Sequence, residues 1–408
     1  GTPPDVGVLS PAVAFRGVGL PNGMMLLAHQ VESGAPLGTG LGAYYGGNCA
    51  GGGVVQQVLS LVSVDGSALP SSTDSPSLGT LFSTAPTAPL AVASRVVVGA
   101  VGPIDLAVSR DGTRVAVVAS GNSWYVTSKS PSLFVDSLDV SAGGPPASLA
   151  GNSCNGSASI ALSVEGEPVA VAFDAAGKYV VQSREPATLR FESGATVALS
   201  AESHYDTGFA MFHLNTGGGI ACSSCHPEAG DDGHIWSFSA VGLRRSQALE
   251  GGVGERAPFH WSGDLPTFDD LFGEVMLKRM ALPVVPPEGD VQALLGWLDT
   301  VPALEPADGL DAALVVRGRT LFMSKDLACG TCHSGPDGSD HQKHDVGTGG
   351  VFVTPALLGV GLRAPLMHDG CARTLRDRFG LCGGSDHGNV KNLPAADIDA
   401  LVAFLQSL

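Results

Sequence analysis

Hydrophobic and polar residues follow two different patterns along this chain, and the change falls near residue 200. Before it, short runs of β-branched residues alternate with turns rich in Gly, Pro, Ser and Asp, which indicates β-strands. After it, apolar residues recur at helical spacing, as in Val291, Leu294 and Leu298. We predict an all-β N-terminal domain over residues 1–200, followed by a mainly α-helical half.

Three segments of the first half have the pattern of a β-hairpin, in which two apolar runs flank a turn containing Asp or Asn and Gly. They are Pro103–Val118, Pro168–Val181 and, more weakly, Pro11–Leu27. Repeated hairpins of this kind resemble β-propeller blades, and a β-sandwich is the alternative. Blades of about 40 to 45 residues would number only four or five here. We therefore expect an incomplete propeller, which upstream sequence or another chain completes.

The helical half contains an internal duplication at a shift of 107 residues. The shift carries Gly252–Pro258 onto Gly359–Pro365, and it carries Asp290–Leu295 onto Asp397–Val402. No gap is needed over this span, so two tandem modules of one type are the economical explanation. We place the two modules at residues 201–304 and 305–408.

Each module carries two cysteines three positions apart, followed directly by a histidine. This is the attachment signature of a c-type haem, in which each thiol adds across one vinyl group and the histidine becomes the proximal iron ligand. A thioredoxin-like or zinc-binding cysteine pair does not require a histidine after both pairs. We predict two cytochrome c modules and two covalently bound haem c groups. The attachment residues are Cys222, Cys225 and His226 in the first module and Cys329, Cys332 and His333 in the second.

The charge balance of the chain argues against two classes of binding partner. The 408 residues carry a formal net charge of −17, with 22 basic against 39 acidic residues, which argues against nucleic-acid or anionic-membrane binding. No apolar run approaches the roughly 18 residues of a transmembrane helix. Haem c is attached outside the bacterial cytoplasm, so we expect a periplasmic or otherwise extracytoplasmic protein. The chain opens at Gly1 without a signal peptide, and we expect that a leader has been removed.

Four cysteines remain outside the haem motifs: Cys49, Cys154, Cys371 and Cys382. An even remainder in an exported protein indicates two disulfides, for which the sequence allows three pairings. We favour a local Cys371–Cys382 bridge together with Cys49–Cys154. Free buried thiols are the alternative.

The stretch Thr354–Gly370, which ends in His-Asp-Gly, resembles the bacterial di-haem cytochrome c peroxidase family, as does the following Thr374-Leu375. That family includes MauG-like enzymes, which oxidise protein side chains. The resemblance covers roughly residues 201–408. One departure matters, because in the family a Met or Tyr beyond His-Asp-Gly ligates the second iron, and residues 374–408 contain neither.

The resemblance implies a di-haem oxidoreductase, a peroxidase or MauG-like oxidase, that uses one haem for peroxide and the other for electron transfer. Its redox partner would be a small cytochrome, a cupredoxin or a protein substrate. We allow for calcium as a further cofactor. The alternative is a non-catalytic multihaem electron-transfer protein that uses the propeller as a docking platform.

The duplication also groups the candidate distal iron ligands into pairs of equivalent residues. Met280 and His387 are equivalent under the shift, and each lies ten positions before the start of a predicted closing helix, at Asp290 and Asp397. Thioether and imidazole both bind haem iron. We predict His226 and Met280 at the first iron and His333 and His387 at the second, with the equivalent pair His260 and Met367 as the alternative.

Several further residues are candidates for roles around the haems. Trp261 follows an Ala-Pro turn on the crevice side and is a candidate electron relay, with plain packing as the alternative. Glu274 is a candidate acid/base for peroxide cleavage, with a solvated helix carboxylate as the alternative. By the resemblance, His368 supports the haem surroundings without ligating iron. We expect His341 and His344, in a loop rich in Gly and Asp, to be exposed.

Overall fold

The computed structural model describes residues 9–20, 23–45, 53–63, 92–96, 100–124, 131–137, 160–380, 382–383 and 386–408. The chain divides into two compact units. The sheet unit comprises Pro4–Cys225 with Met276–Val285, and the helical unit comprises His226–Val275 with Pro286–Leu408. This division does not test the domain boundaries predicted at residues 200 and 304, which stay predictions.

The sheet unit contains three antiparallel sheets of four strands, each of them a meander in chain order. The first has β1 (Leu9–Gly19), β2 (Met24–Ser33), β3 (Val55–Ser63) and β4 (Val92–Val96). The second has β5 (Asp105–Val108), β6 (Arg114–Val118), β7 (Leu133–Ser137) and β8 (Ile160–Leu162). The third has β9 (Pro168–Phe173), β10 (Tyr179–Ser183), β11 (Thr188–Phe191) and β12 (Thr196–Ala198). The sheet unit also contains a 3-10 helix at Ser120–Trp124 and the helix α1 (Thr207–His213).

The three predicted hairpins are confirmed, and each forms the first two strands of one sheet. In the second sheet Val108 pairs with Val115 across the Asp-Gly turn. The Asp111 carboxylate stabilises this turn by accepting hydrogen bonds from the Ser109 hydroxyl and from the backbone and hydroxyl of Thr113. Local turn chemistry therefore stabilises the hairpin with which the second sheet begins.

The second sheet packs between the other two, and β6 shows how. Its Val115 and Val117 lie in a core cluster with Leu26 and Leu59 of the first sheet. The intervening Ala116 and Val118 belong to a second cluster, which includes Val171 and Val181 of the third sheet. Successive strand residues point to opposite faces, so both faces of this sheet are buried.

Among the described residues the three sheets are separate in their hydrogen bonding, and no closed barrel or propeller is shown. A β-rich N-terminal part is thus established, whereas the propeller and its completion by further sequence stay predictions. Cys49 and Cys154 lie outside the described residues.

The helical unit is built from short elements joined by long turns. Its helices are α2 (Phe268–Phe272), α3 (Glu288–Thr300), α4 (Ala312–Phe322), α5 (Cys329–Cys332) and α6 (Ala395–Gln406). Two hairpins consist of β13 (Ile235–Phe238) with β14 (Gly242–Arg245), and β15 (Lys343–Asp345) with β16 (Val351–Val353). Short 3-10 helices of this unit cover Pro227–Ala229, Val253–Arg256, Val360–Leu362 and Leu375–Phe379. Another 3-10 helix, Cys222–Ser224, belongs to the sheet unit, and the π-helix Gly273–Arg279 begins in the helical unit and ends in the sheet unit. In the described residues no helix combines the length and apolar character needed to cross a bilayer.

The duplication seen in the sequence extends to local geometry. Thr267 and Asp270 form a reciprocal helix cap, and so do Thr374 and Asp377, their equivalents 107 positions later. The predicted closing helices α3 and α6 both follow a proline, and their predicted apolar faces are largely buried. Isolated bridges join Phe259 to Leu265 and Leu366 to Ala372, again at the same shift. These local features recur at the 107-residue shift, and we call the segments that contain them the first and second repeats.

Helices α4 and α6 cross at Gly318, and this contact supports the core of the second repeat. A Cβ at Gly318 would overlap the carbonyl oxygen of Ala400 and lie 2.7 Å from the Cβ of Phe404. Only glycine lets the two backbones approach this closely.

We predict that Gly318→Ala lowers the stability of the protein, because the added methyl group pushes α4 and α6 apart. Overpacking of this kind costs about 1–3 kcal/mol. Thermal unfolding followed by circular dichroism measures the loss. Gly296→Ala in α3 is the matched control, since a Cβ there meets no atom within 4 Å and alanine favours a helix by about 0.5–1 kcal/mol. Equal melting temperatures for the two variants would contradict the proposed close contact.

Candidate haem sites

The second predicted attachment motif lies directly after α4. Ala328 has a left-handed backbone with φ of 59° and starts α5, which carries Cys329 and Cys332. His333 follows, and its Nδ1 lies 3.0 Å from the carbonyl oxygen of Gly338. A hydrogen bond of this kind makes Nδ1 the donor and leaves Nε2 as the basic nitrogen. His333 is therefore oriented as a metal ligand.

A second imidazole faces His333. The ring centres of His333 and His387 lie 6.0 Å apart, with an angle of 30° between the ring planes. A metal bound by two imidazoles lies about 2 Å from each bound nitrogen, which places the ring centres roughly 6 Å apart. In addition, the buried Nδ1 of His387 has no hydrogen-bond partner in the described part of the chain. The geometry fits one metal ion held between the two rings.

Burial keeps both imidazoles neutral. Desolvation lowers the pKa of His333 below its usual value, and the Arg378 charge adds to this effect. The pKa of His387 falls to about 3 because of burial first, then Arg378 and then His333. Arg378 donates a hydrogen bond to the His387 carbonyl oxygen, and desolvation lowers its own pKa to about 10. At neutral pH both histidines thus offer a free lone pair, which iron ligation requires.

The first attachment motif is anchored by buried polar side chains of the sheet unit. The Gln30 side-chain amide, which is fully buried, donates a hydrogen bond of 2.5 Å to the carbonyl oxygen of Ser224, between Cys222 and Cys225. The same amide donates to Glu32, and Gln57 donates to the Gln30 oxygen, both at 2.9 Å. A buried polar group requires partners, so this cluster and the motif loop stabilise each other.

Sequence reasoning missed this anchor. The available signal was a run of polar residues, His29, Gln30 and Glu32, inside an otherwise apolar strand, together with Gln57 on the neighbouring strand. Nothing in the local pattern connects these residues with a motif 194 positions away.

The predicted ligands of the first iron fall into different units. His226 lies in the helical unit with its Nδ1 3.3 Å from the Gly230 carbonyl oxygen, and burial lowers its pKa. Met280 lies in the sheet unit, where it is buried and lines a pocket with Tyr44 and Gly217. Their pairing at one iron stays a prediction. A second buried thioether, Met276, lies closer to the motif, with its sulfur 3.2 Å from that of Cys222.

Tyrosines also lie beside Met280, although the sequence places them far away. The Arg279 guanidinium donates a hydrogen bond of 2.9 Å to the hydroxyl of Tyr44, 235 positions earlier. The Tyr44 backbone in turn donates to the Arg279 carbonyl oxygen at 2.8 Å. The segment before the first closing helix is therefore bound to a loop of the sheet unit.

Trp261 and His368 meet where the two repeats contact each other. They are equivalent under the 107-residue shift, and their rings lie edge to face with centres 6.3 Å apart. The Arg245 backbone donates to the His368 carbonyl oxygen at 2.7 Å, and the Val353 backbone donates to that of Trp261 at 2.8 Å. Each repeat thus donates a backbone hydrogen bond to the other, and the two acceptors, Trp261 and His368, are equivalent positions. His368 also stacks on Phe352, with ring centres 4.1 Å apart.

The remaining candidates have ordinary surroundings. Glu274 is partly buried within the π-helix. His260 lies 3.2 Å from Asp264, and Met367 is partly buried, so their role as alternative ligands stays untested.

The expectation that His341 and His344 are exposed is wrong. Both are partly buried, and each lies near an aspartate four positions earlier, His341 at 3.5 Å from Asp337 and His344 at 2.8 Å from Asp340. The predicted Cys371–Cys382 disulfide is confirmed, with Cα atoms 5.8 Å apart.

Comparison with known proteins identifies one part of the chain. Residues 315–408, which contain the second motif and the α4–α6 pair, match the family model described as Cytochrome c. The chain ends in a cytochrome c domain.

No curated protein matches the chain. Hydrazine synthase of Kuenenia stuttgartiensis, pressurised with 20 bar xenon, shares 21% identity over 46% of this chain and 81% of that chain, with a TM-score of 0.40. A MauG-like protein associated with microbial copper homeostasis shares 17% identity over 52% of this chain and 91% of that chain, also with a TM-score of 0.40.

A cytochrome c domain implies a covalently bound haem c. Three of the four motif cysteines lie where burial disfavours the thiolate. Burial raises the pKa of Cys222 to about 12 and also raises those of Cys329 and Cys332. Reactive disulfide-exchange cysteines and zinc ligands depend on a lowered thiol pKa. The residues present therefore fit haem attachment better than either alternative.

We predict that His387→Ala converts one ferric haem of the holoprotein from a low-spin to a high-spin electron paramagnetic resonance signal. The physical reason is the loss of the imidazole that faces His333. His344→Ala is the matched control, because this histidine of the same repeat bonds to Asp340. A low-spin spectrum that His387→Ala leaves unchanged would exclude His387 as a ligand.

We also predict that Gln30→Ala lowers the haem content at the first motif, since it leaves the Ser224 carbonyl oxygen and Gln57 without their partner. An unsatisfied buried group costs about 1–3 kcal/mol. Haem per chain, measured as the pyridine haemochrome, gives the result. Ser60→Ala is the control, because it removes a buried hydrogen bond to His29 in the same sheet. It should lower the stability of the protein and leave its haem content unchanged. Equal haem content in both variants would refute the anchoring role.

Proposed function

We propose that this protein is a di-haem c-type oxidoreductase of extracytoplasmic location, with one haem in each repeat. The observation that carries the proposal is the duplicated geometry around the two motifs. In each copy the histidine after the second cysteine is partly buried, and its Nδ1 faces a glycine carbonyl oxygen of the following loop. One copy lies in the cytochrome c domain, so equivalent geometry supports a haem at the other as well.

Unequal roles for the two sites follow from their predicted ligands. Haem supplies a one-electron redox centre at each position. A thioether ligand raises the reduction potential relative to a second imidazole, so Met280 suits the first site to electron entry. We assign peroxide to the second site, where His387 would have to leave its position opposite His333. His387 lies in a loop before α6, and a loop moves at less structural cost than a helix.

Other residues have supporting roles in this proposal. Trp261 lies against His368 between the repeats and suits an electron relay. Glu274 stays a candidate acid/base and His368 a candidate contact to haem. The net charge of −17 favours a basic redox partner, which would be a small cytochrome, a cupredoxin or a protein substrate. Calcium gains no support, since the candidate metal clusters among the described residues include cysteine sulfur and calcium prefers oxygen.

A non-catalytic electron carrier with the sheet unit as docking platform is the second candidate. The observation that favours it is the placement of an imidazole on each side of the second site, which would leave no position for peroxide.

Stopped-flow mixing of the fully reduced protein with hydrogen peroxide distinguishes the two functions. We expect one peroxide to oxidise both haems of one chain, because two electrons and two protons convert hydrogen peroxide to two waters. His387→Ala should accelerate this oxidation by freeing the second site. A reduced protein that stays reduced in excess peroxide, yet exchanges electrons rapidly with a small cytochrome, would support the carrier and reject the enzyme.

A further inference from the structure

Six charged residues, all buried or partly buried, form a network in the helical unit, and we call them the arginine network. They are Arg245, Arg256 and Arg363 with Asp231, Glu250 and Asp337. Asp231 and Arg245 are only 7% exposed, and they pair at 2.8 Å. Arg363 is 11% exposed, and it pairs with both Asp231 and Glu250. Three cations balance three anions, so burial leaves no net charge.

The pairs of this network cross between the repeats. Arg363 belongs to the second repeat, and its Nη1 donates to Asp231 of the first repeat at 2.9 Å. Arg256 is its equivalent 107 positions earlier, and it lies 3.8 Å from Asp337 of the second repeat. Each arginine thus reaches the carboxylate of the opposite repeat.

Both carboxylates adjoin the carbonyl group that orients a proximal histidine. Asp231 follows Gly230, whose oxygen lies 3.3 Å from Nδ1 of His226. Asp337 precedes Gly338, whose oxygen lies 3.0 Å from Nδ1 of His333. The hydrogen bond at Nδ1 fixes the imidazole and tunes its strength as a ligand.

We infer that Arg256 and Arg363 are positioning residues that act across the repeats, each tuning the haem of the other repeat. Arg363 sets the reduction potential of the haem at His226, and Arg256 sets that of the haem at His333. This inference rests on the proposed presence of two haems.

The sign of the effect follows from electrostatics. Charges in a buried site are weakly screened, and they act over longer distances than charges in water. Loss of Arg363 removes one positive charge beside Asp231, which keeps its pairing with Arg245 at 2.8 Å. The added negative field stabilises ferric over ferrous iron. Reduction of the first haem then becomes harder.

The test is a redox titration of the holoprotein, followed by visible and electron paramagnetic resonance spectroscopy. The Met280→Ala and His387→Ala variants assign the two ferric signals. We expect Arg363→Gln to lower the equilibrium constant for reduction of the first haem about tenfold and Arg256→Gln to do so at the second. Arg363→Lys and Arg256→Lys, which retain the charge, should shift the same haems less. Arg317→Gln is the control, since this exposed arginine pairs with Asp397 inside the second repeat.

The outcomes separate the inference from the proposed function. Crossed shifts support the inference. If each haem potential shifts only when the arginine of its own repeat is replaced, or with neither replacement, the inference is wrong and the di-haem proposal stands. A chain that binds a single haem overturns both. Should a glutamine variant fail to fold, Asp231→Asn decides at the first haem, because loss of this carboxylate charge should raise the equilibrium constant for its reduction. An unchanged potential in that variant would mark a purely structural role.

Discussion

Burial of charge at the contact between two repeats is the constraint on which the helical unit depends. Ions removed from water are costly unless each finds a partner in good geometry. Arg363 meets this requirement only when Asp231 and Glu250 lie beside it, and both belong to the opposite repeat. The two repeats therefore cannot shift independently, and the loops after His226 and His333 are held in one arrangement.

The same contact explains how a duplicated sequence forms one compact unit. Equivalent positions face each other, as Trp261 and His368 do, and the backbone carbonyl group of each accepts a hydrogen bond from the opposite repeat. Glycine allows the approach on both sides. A Cβ at Gly263 would lie 2.6 Å from Val353, and one at its equivalent Gly370 would collide with Ile235. Each repeat thus supplies both a hairpin and the surface that receives the other hairpin.

Local features could be predicted from the sequence, and distant contacts could not. The Asp-Gly hairpin at Asp111 depends on neighbours within a few residues, and the Cys371–Cys382 bridge closes a separation of 11. Gln30 and Ser224 are 194 positions apart, and apolar periodicity carries no information about their hydrogen bond. The partners of Arg363 were equally hidden, since an arginine in a sequence does not show which carboxylate it will meet. The exposure of His341 and His344 was predicted wrongly for a local reason. An aspartate four positions before each one was visible, but loop composition was given more weight.

Duplication alone would give two equal sites, whereas the proposed function needs unequal ones. The structure supplies the inequality through the surroundings of each motif. At the first motif a buried glutamine of the sheet unit supports the loop between the cysteines. At the second, an imidazole from the same repeat faces His333 inside the cytochrome c domain. The sheet unit supports the loop between Cys222 and Cys225 through Gln30, and one of its loops binds the segment that carries Met280. In the proposed function this unlike support is the source of a potential difference between two copies of one motif, without any change in the motif itself.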